Sequence, residues 1–230
     1  MTELLQIGIL PVVLTLFAYQ IGLLCQKKFK LPLFNPILVG MIVVILTLKV
    51  TGLPTDRYQE GVKLMSWLMT PATVCLAIPM YEQIQALRKN LKAILAGVVA
   101  GTLSCLTMLL VFCILFQFDR NLTVSLLPKG ITAAIGVALT ELFEGTPSIT
   151  TLGISVTGIS GNMFGTAFCK WFRITDPIAQ GVAFGTGSHV IGTARASELN
   201  PLSGAVSSLS LVVSGLLTAV LFPVLVSFIA

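Results

Sequence analysis

Eight apolar stretches, each about as long as a membrane-spanning helix, constrain this chain more than any other feature. A helix that crosses the hydrocarbon core of a bilayer needs about 20 consecutive, mostly apolar residues. The connections between the stretches are short, so the sequence predicts a single transmembrane domain over residues 1–230, of the all-α polytopic class. The eight stretches cover residues 4–25, 32–50, 60–84, 93–118, 121–143, 148–169, 177–199 and 204–229.

The charge content supports a membrane protein and argues against a nucleic-acid-binding protein. Only 10% of the residues are charged, whereas soluble domains carry about 25%. The net charge of +5 comes largely from short basic clusters between apolar stretches, at residues 27–30, 88–92 and 170–173. Clusters of this kind are typical of cytoplasmic loops under the positive-inside rule. We therefore expect contact with the lipid bilayer and no nucleic-acid partner.

The basic clusters also predict how many segments cross. If the first cluster is cytoplasmic, alternating crossings bring the second cluster inside but leave the third outside, so one intervening segment must fail to cross. Segment 121–143 is the strongest candidate, because Pro128 and Gly130 flank Lys129 there and a proline removes a backbone donor and kinks a helix. We predict seven crossings plus one re-entrant piece, with the C-terminus inside. Eight full crossings are the alternative.

Broken helices predict an inverted repeat. Prolines interrupt segment 60–84 and glycines crowd segment 177–199, and the predicted topology makes these two segments antiparallel. Paired interrupted segments in the two halves of a chain indicate the binding site of an inverted-repeat transporter. The corresponding repeat halves would be residues 1–118 and 119–230.

His189 and Lys129 are the strongest candidates for a binding site. His189, the only histidine, lies among Gly185, Gly187 and Gly192, each of which weakens a helix by about 1 kcal/mol relative to alanine. An ionisable side chain beside such a break indicates a functional site; a structural histidine bonded to a carbonyl across the bundle is the alternative. Lys129 lies about 12 Å into its segment at the helical rise. The alternative is that the long side chain of Lys129 extends back to the lipid headgroups and takes no part in a binding site.

Five further polar residues complete the candidate substrate-binding set. Arg195 is a candidate anion ligand, although Glu198, three residues on, offers it a local helical pair. The amide of Asn162 must find partners in a dry bundle. The other members of the set are Thr73, Thr132 and Ser188. Because the set is rich in cations and poor in buried acids, it predicts a small anion as the substrate.

No sequence pattern indicates an enzyme, a cofactor or a metal site. The chain lacks a nucleophile–base constellation, and its five cysteines have neither CxxC spacing nor a histidine close in sequence. The glycines at 185 and 187 do not extend into a dinucleotide-binding fingerprint. We therefore expect no catalytic residues, no cofactor and no bound metal.

Four stretches together resemble the LrgB/CidB family, and the likeness covers essentially the whole chain. They are residues 68–81, 127–129, 176–181 and 185–195. This family contains bacterial inner-membrane proteins described as antiholin-like, and also the plastid glycolate/glycerate translocator. Bacterial members are usually paired with a small holin-like partner of the LrgA/CidA type. The resemblance implies a multi-pass protein of the bacterial inner (plasma) membrane, with the broken helices of inverted-repeat transporters.

Two functions remain open at this point. The first is a secondary transporter of small hydroxy- or keto-monocarboxylates such as pyruvate, lactate or glycolate. It would be coupled to a proton through His189, because imidazole ordinarily changes charge near neutral pH. The second is an antiholin-like regulatory subunit that restrains a holin-like partner and so controls murein hydrolase export and autolysis. We expect a homo-oligomer in either case.

Overall fold

The computed structural model describes residues 2–29 and 34–228, with side chains except at residues 2–8, 69 and 70. Within these ranges the fold is helical and contains no β-strand. The helices are α1 (Thr2–Phe29), α2 (Pro36–Thr51), α3 (Thr55–Gly61), α4 (Lys63–Cys75), α5 (Ala77–Glu82), α6 (Ile84–Leu115), α7 (Arg120–Leu126), α8 (Ala133–Leu142), α9 (Pro147–Trp171), α10 (Pro177–Leu199) and α11 (Pro201–Ser227), with a 3₁₀ turn at Leu127–Gly130.

Four helical spans in the described part are long and apolar enough to cross a membrane. They are Ile9–Phe29, Lys63–Glu82, Ile84–Leu115 and Pro201–Ser227. Shorter apolar helices accompany them, among them α2 and α8. The predicted class, an all-α polytopic membrane protein, is confirmed.

Three of the predicted segments are broken, as the prolines and glycines indicate. Segment 60–84 is divided mainly between α4 and α5. Segment 121–143 is divided into α7, the 3₁₀ turn and α8. Helix α10 breaks at His189, whose backbone leaves the helical region with φ 41° and ψ −139°.

The chain forms two compact units, Met1–Cys75 and Leu76–Ala230. In the first unit, α1 packs closely against the start of α2, since a Cβ on Gly22 would lie 2.5 Å from the Pro36 carbonyl oxygen. A hydrogen bond of 2.7 Å between Thr15 Oγ1 and the Tyr58 hydroxyl ties α1 to α3. The single domain and the repeat halves meeting at residues 118 and 119 stay predictions.

Residues 120–142, in the second unit, turn back on themselves, and we name them hairpin A. The two ends of the hairpin lie side by side: Asn121 Nδ2 donates to the Glu144 carbonyl at 2.9 Å, and the Thr146 N–H donates to Ser125 Oγ at 2.7 Å. A straight helix of this length would hold its ends about 34 Å apart. The segment therefore begins and ends at the same side, as the predicted re-entrant piece requires.

Helix α10 turns back as well, and we name residues 177–199 hairpin B. Ser203 Oγ, near the start of α11, donates to the carbonyl of Pro177 at 2.9 Å, so the two ends of the hairpin are together. Midway along, a Cβ on Gly192 would lie 2.9 Å from the Phe184 carbonyl oxygen. The two halves of α10 are therefore antiparallel neighbours and not one continuous rod.

The reversal of hairpin B corrects the predicted topology. Segment 177–199 does not cross, and it cannot be antiparallel to segment 60–84 because it has no single direction. The backbone reverses at His189, the residue of this segment that has a positive φ, and Gly192 lets the two halves pack closely; the sequence indicated only a local break. With two re-entrant segments instead of one, the same loop charges place the C-terminus outside rather than inside.

One end of the second unit gathers the first turns of α6 and α11 with the base of hairpin B. Leu87 of α6, Val206 of α11 and Ile178 of hairpin B belong to one apolar cluster. Cys169, near the end of α9, packs against Phe184 of hairpin B. The basic clusters 88–92 and 170–173 therefore lie at the same end, as the positive-inside argument requires.

The opposite end gathers the last turns of α6 and α11 with hairpin A. Cys113 of α6, Phe222 of α11 and Val124 of hairpin A form a second apolar cluster. Thr150, near the start of α9, donates to the Ser125 carbonyl at 2.8 Å. Helices α6 and α11 are thus parallel and α9 runs the other way, so α6 with hairpin A is the inverted counterpart of α9 with hairpin B.

Candidate functional site

The tips of the two hairpins meet in the interior of the second unit. We define them as residues 127–132 in hairpin A and residues 186–190 in hairpin B. A Cβ on Gly130 would lie 3.7 Å from the Thr186 carbonyl oxygen, so the two tips are in contact. The break in hairpin B therefore meets a second broken segment of the same unit, hairpin A.

An open-sided cavity of about 500 Å³ lies beside this contact, with the exposed side chains of Phe164 and Phe168 at its outer edge, and we call it the main cavity. Lys129 of hairpin A and Ser188 of hairpin B both line it, together with α9. Cavities of this size are typical of small-molecule sites, in which apolar walls carry a few polar groups. The polar groups here are Lys129, Thr157, Ser160 and Ser188, and the aromatic wall is Phe164, Phe168 and Phe184.

Lys129 is the charged group of the main cavity. Its side chain is half-buried. Among the side chains that the structure describes, the single ion pair joins Arg195 to Glu198, so no carboxylate there neutralises the Lys129 ammonium. A lysine at this depth is costly unless it is paired or hydrated. Lys129 thus has no acidic partner among the described side chains.

Glycines on α9 let the tip of hairpin B sit directly against that helix. A Cβ on Gly158 would lie 2.5 Å from His189 Cε1, and one on Gly161 would overlap the Ser188 side chain. Any larger residue would push the hairpin away from α9. These two glycines position Ser188 at the cavity and His189 behind it.

His189 is 3% exposed, and its Nε2 lies 2.8 Å from the Ile154 carbonyl oxygen of α9. A carbonyl can only accept, so Nε2 is the donor and carries the proton. This hydrogen bond is the one expected of a structural histidine that is bonded to a carbonyl across the bundle. The predicted role of His189 in substrate binding and proton coupling stays a prediction.

Asn162 and Thr193 secure the second half of hairpin B. Asn162 Nδ2 donates to the Ile191 carbonyl at 3.1 Å, so the amide finds its expected partner across α9 and the hairpin. Thr193 Oγ1 lies 2.9 Å from the His189 carbonyl and 2.8 Å from Ser207 Oγ of α11. Asn162 is thus adjacent to the break and binds backbone.

Within the second unit, Arg195 and Thr132 do not line the main cavity. Arg195 is paired with Glu198 at 2.6 Å, and its Nε donates to Thr166 Oγ1 at 3.3 Å. Thr132 precedes α8, and its carbonyl accepts from the Gly136 N–H at 2.9 Å. Thr73 belongs to α4 in the first unit. A substrate-binding role for these three stays a prediction.

The sequence interpretation missed most of the serine and threonine hydroxyl groups that line the cavities. Thr157 and Ser160 of α9 line the main cavity. A second cavity of about 10 Å³ lies on the other side of Gly130, and we call it the small cavity. It is lined by Thr102, Thr186, Ser214 and Thr218 among others. The available signal was the number of serines and threonines within apolar segments.

Comparison with known proteins establishes the family. Residues 15–228 match the LrgB-like family. The chain belongs to the LrgB-like family. It is 35% identical over 228 residues to the holin-like protein CidB of Staphylococcus epidermidis, covering 98% of each chain. It is 33% identical over 221 residues to CidB of Staphylococcus aureus, covering 95% of this chain and 96% of the relative.

No solved structure matches the chain. The chain is a multi-pass protein of the bacterial cell membrane, as the resemblance implied. Its family is not a class of enzymes.

Proposed function

We propose that this protein is a secondary transporter of small hydroxy- or keto-monocarboxylates, such as pyruvate, lactate or glycolate. The observation that carries this proposal is Lys129, which lines a 500 Å³ cavity at the tip of hairpin A and forms no ion pair with the described side chains. A lysine near the centre of a membrane costs up to about 3.5 kcal/mol. A bound carboxylate would offset that cost.

The helix ends at the tips favour the same ligand. Helix α8 begins at the tip of hairpin A, and the second half of hairpin B, residues 190–199, begins at the other tip. The N-terminus of a helix carries partial positive charge and unpaired N–H donors, both of which favour an anion. One lysine without a second cation nearby suits a monocarboxylate better than a dicarboxylate.

The two hairpins also supply a route to either side of the membrane. They enter from opposite ends of the second unit and meet at the cavity. In inverted-repeat transporters, discontinuous helices of this kind hold the substrate near the midplane, and each repeat in turn opens one side. Movement of hairpin A or hairpin B would open the main cavity toward its own end.

Uptake of labelled pyruvate into liposomes that contain the purified protein tests the proposal. The wild type should accumulate pyruvate, and Lys129→Gln should reduce the initial rate at least tenfold while the melting temperature stays near that of the wild type. Lys129→Arg should retain part of the activity, because it keeps the charge but not the compact ammonium. Lys92→Gln, an exposed lysine of α6, is the matched control and should transport normally. Normal transport by Lys129→Gln would remove the basis of the proposal.

A second candidate function is an antiholin-like regulatory subunit acting with a small holin-like partner of the LrgA/CidA type. It is favoured by the names of the relatives at 33% and 35% identity, which are called holin-like proteins. In this case folded protein alone would give no uptake, and co-expression with the partner would change lysis of the host. Cross-linking in native membranes would test both this partner and the proposed homo-oligomer.

A further inference from the structure

We propose that the small cavity between the hairpin tips binds one Na⁺ ion. Its role as the coupling ion rests on the proposed transport function, whereas binding of the ion does not. The cavity is separate from the main cavity: Lys129 lines the main one and Gly130, the next residue, lines the small one.

Four buried hydroxyl groups from three elements line the small cavity. Thr102 of α6, Thr186 of hairpin B, and Ser214 and Thr218 of α11 are each at most 6% exposed. Thr102 Oγ1 donates to Ser214 Oγ at 3.1 Å, and Thr186 Oγ1 donates to the Val182 carbonyl at 2.8 Å. A hydroxyl that donates its proton keeps lone pairs for a cation.

Thr218 lies one helical turn beyond Ser214 on α11, so the two hydroxyls share one face of that helix. Thr218 is 2% exposed and lines the small cavity. Its hydroxyl oxygen has lone pairs that a cation in the cavity would bind.

The break in hairpin B adds backbone oxygens. Its first half, residues 177–188, ends at the tip, and the end of a helix leaves its last four carbonyls without a partner in the same helix. The Thr186 carbonyl oxygen is directed toward Gly130, 3.7 Å from where a Cβ on that glycine would lie. A helix C-terminus carries partial negative charge, and such ends coordinate Na⁺ in transporters with broken helices.

The size and charge of the cavity select the ion. A volume of about 10 Å³ is just enough for a single particle the size of a water molecule. No carboxylate lines it, which disfavours Ca²⁺ and Mg²⁺ because both bind through acidic oxygens. Among the described residues, no three His, Cys, Asp or Glu side chains gather into a metal site. Neutral oxygens in a tight space suit Na⁺, and the larger K⁺ should bind more weakly.

Occupation of the two cavities should be linked through Lys129. An ion in the small cavity would lie close to the Lys129 ammonium, and the two positive charges would repel each other. A carboxylate bound at Lys129 neutralises that repulsion, so it should raise the affinity for Na⁺. By linkage, Na⁺ should raise the affinity for the carboxylate by the same factor.

Thermal unfolding of the purified protein in NaCl, KCl or choline chloride, at equal ionic strength, tests the site without any transport step. NaCl should raise the melting temperature in a saturable way, and KCl should do so only at higher concentration. Pyruvate should lower the NaCl concentration needed for half of the effect by at least about fivefold, the lower range of measured couplings. Binding of radioactive ²²Na⁺ to the same samples gives a direct second readout.

Two variants that remove a hydroxyl, one that restores it and a matched control locate the ion. Thr218→Val and Ser214→Ala should each abolish the Na⁺ effect, and Thr218→Ser should restore it because the hydroxyl is kept. Ser208→Ala, a buried hydroxyl of the same helix that bonds the Gly204 carbonyl, should behave as wild type. Identical curves in NaCl and KCl, or a Na⁺ effect that survives in both variants, would overturn the proposal.

The outcomes separate this inference from the proposed function. Na⁺ binding that requires Thr218, without pyruvate uptake in liposomes, would support the ion site and refute the transporter. Pyruvate uptake that is indifferent to Na⁺ and driven by a pH gradient alone would support the transporter and refute Na⁺ as its coupling ion, while the unfolding and ²²Na⁺ measurements decide whether the ion binds.

Discussion

At the tip of hairpin B, His189 occupies a backbone conformation, φ 41° and ψ −139°, that glycine adopts far more easily than histidine. Such conformations cost about 1–3 kcal/mol and persist only where the surroundings hold them. The imidazole provides that hold by donating from Nε2 to the Ile154 carbonyl at 2.8 Å. The histidine thus fixes the tip of hairpin B to α9.

Two substitutions of His189 should separate the energetic cost of its backbone conformation from the stabilisation by its hydrogen bond to Ile154. His189→Ala keeps the strained backbone and loses the ring with its N–H donor, so the free energy of unfolding should fall by about 1–3 kcal/mol, the cost of an unsatisfied buried carbonyl. His189→Gly also loses the bond but relieves the strain, so its stability should be closer to wild type. Thermal or denaturant unfolding in detergent measures both.

The same two variants test the predicted pH-sensitive role of His189. If the imidazole takes up the coupled proton, both variants should flatten the pH profile of pyruvate uptake. If the pH profile of uptake keeps its wild-type shape, His189 only holds the tip of hairpin B against α9.

Gly161 should be intolerant of even one added methyl group. Gly161→Ala would place Cβ within the Ser188 side chain, so hairpin B must move away from α9 and pyruvate uptake should fall more than tenfold. Gly153→Ala, on the same helix, meets its nearest atom at 3.4 Å, an ordinary contact, and should gain up to about 1 kcal/mol from helix propensity. Equal activity of the two variants would contradict the packing described here.

At the scale of the element, hairpin A is held closed by polar groups at its base. Ser125 Oγ accepts from the Thr146 N–H at 2.7 Å, and the Ser125 carbonyl accepts from Thr150 Oγ1 at 2.8 Å. Thr150 Oγ1 also lies 2.7 Å from Thr140 Oγ1 of α8. These bonds hold α7, α8 and the start of α9 together at one end.

Ser125→Ala should loosen this base. The Thr146 N–H would lose its acceptor, and an unsatisfied donor costs about 1–3 kcal/mol. Ser155→Ala is the control, because that hydroxyl bonds only the Thr151 carbonyl of its own helix, and it should change stability by less than about 0.5 kcal/mol. The difference between the two melting temperatures is the measurement, and its absence would show that the base is not held by Ser125.

Some elements could be predicted from the sequence because their signal is local. Apolar runs of spanning length predicted the helices. The charges of the loops required one segment that turns back, and Pro128 and Gly130 indicated that this segment is hairpin A. The glycines around His189 indicated a break, but a run of glycines does not specify the angle through which the chain turns. Thr102, Ser214 and Thr218 could not be grouped, since the contacts that unite them join distant parts of the chain.

At the scale of the whole molecule, the second unit has two distinct ends. Helices α6 and α11 are parallel, hairpin B opens at their N-terminal end and hairpin A at their C-terminal end. The basic clusters at 88–92 and 170–173 belong to the N-terminal end, which the positive-inside rule assigns to the cytoplasm. Hairpin A and the last turn of α11 then belong to the external side.

Labelling of single cysteines in intact cells tests this arrangement. In a background without the five native cysteines, an impermeant maleimide added outside should label Asn121→Cys, Glu144→Cys and Phe228→Cys. It should leave Lys89→Cys and Arg173→Cys unlabelled until the membrane is permeabilised.

Joint labelling of positions 121 and 144 follows from the 2.9 Å bond between these residues, because a helix that crossed would put them on opposite sides. Labelling of position 228 from outside requires hairpin B to turn back as well. Protection of position 228 together with labelling of 121 and 144 would mean that segment 177–199 crosses, and the two-hairpin site would have to be abandoned.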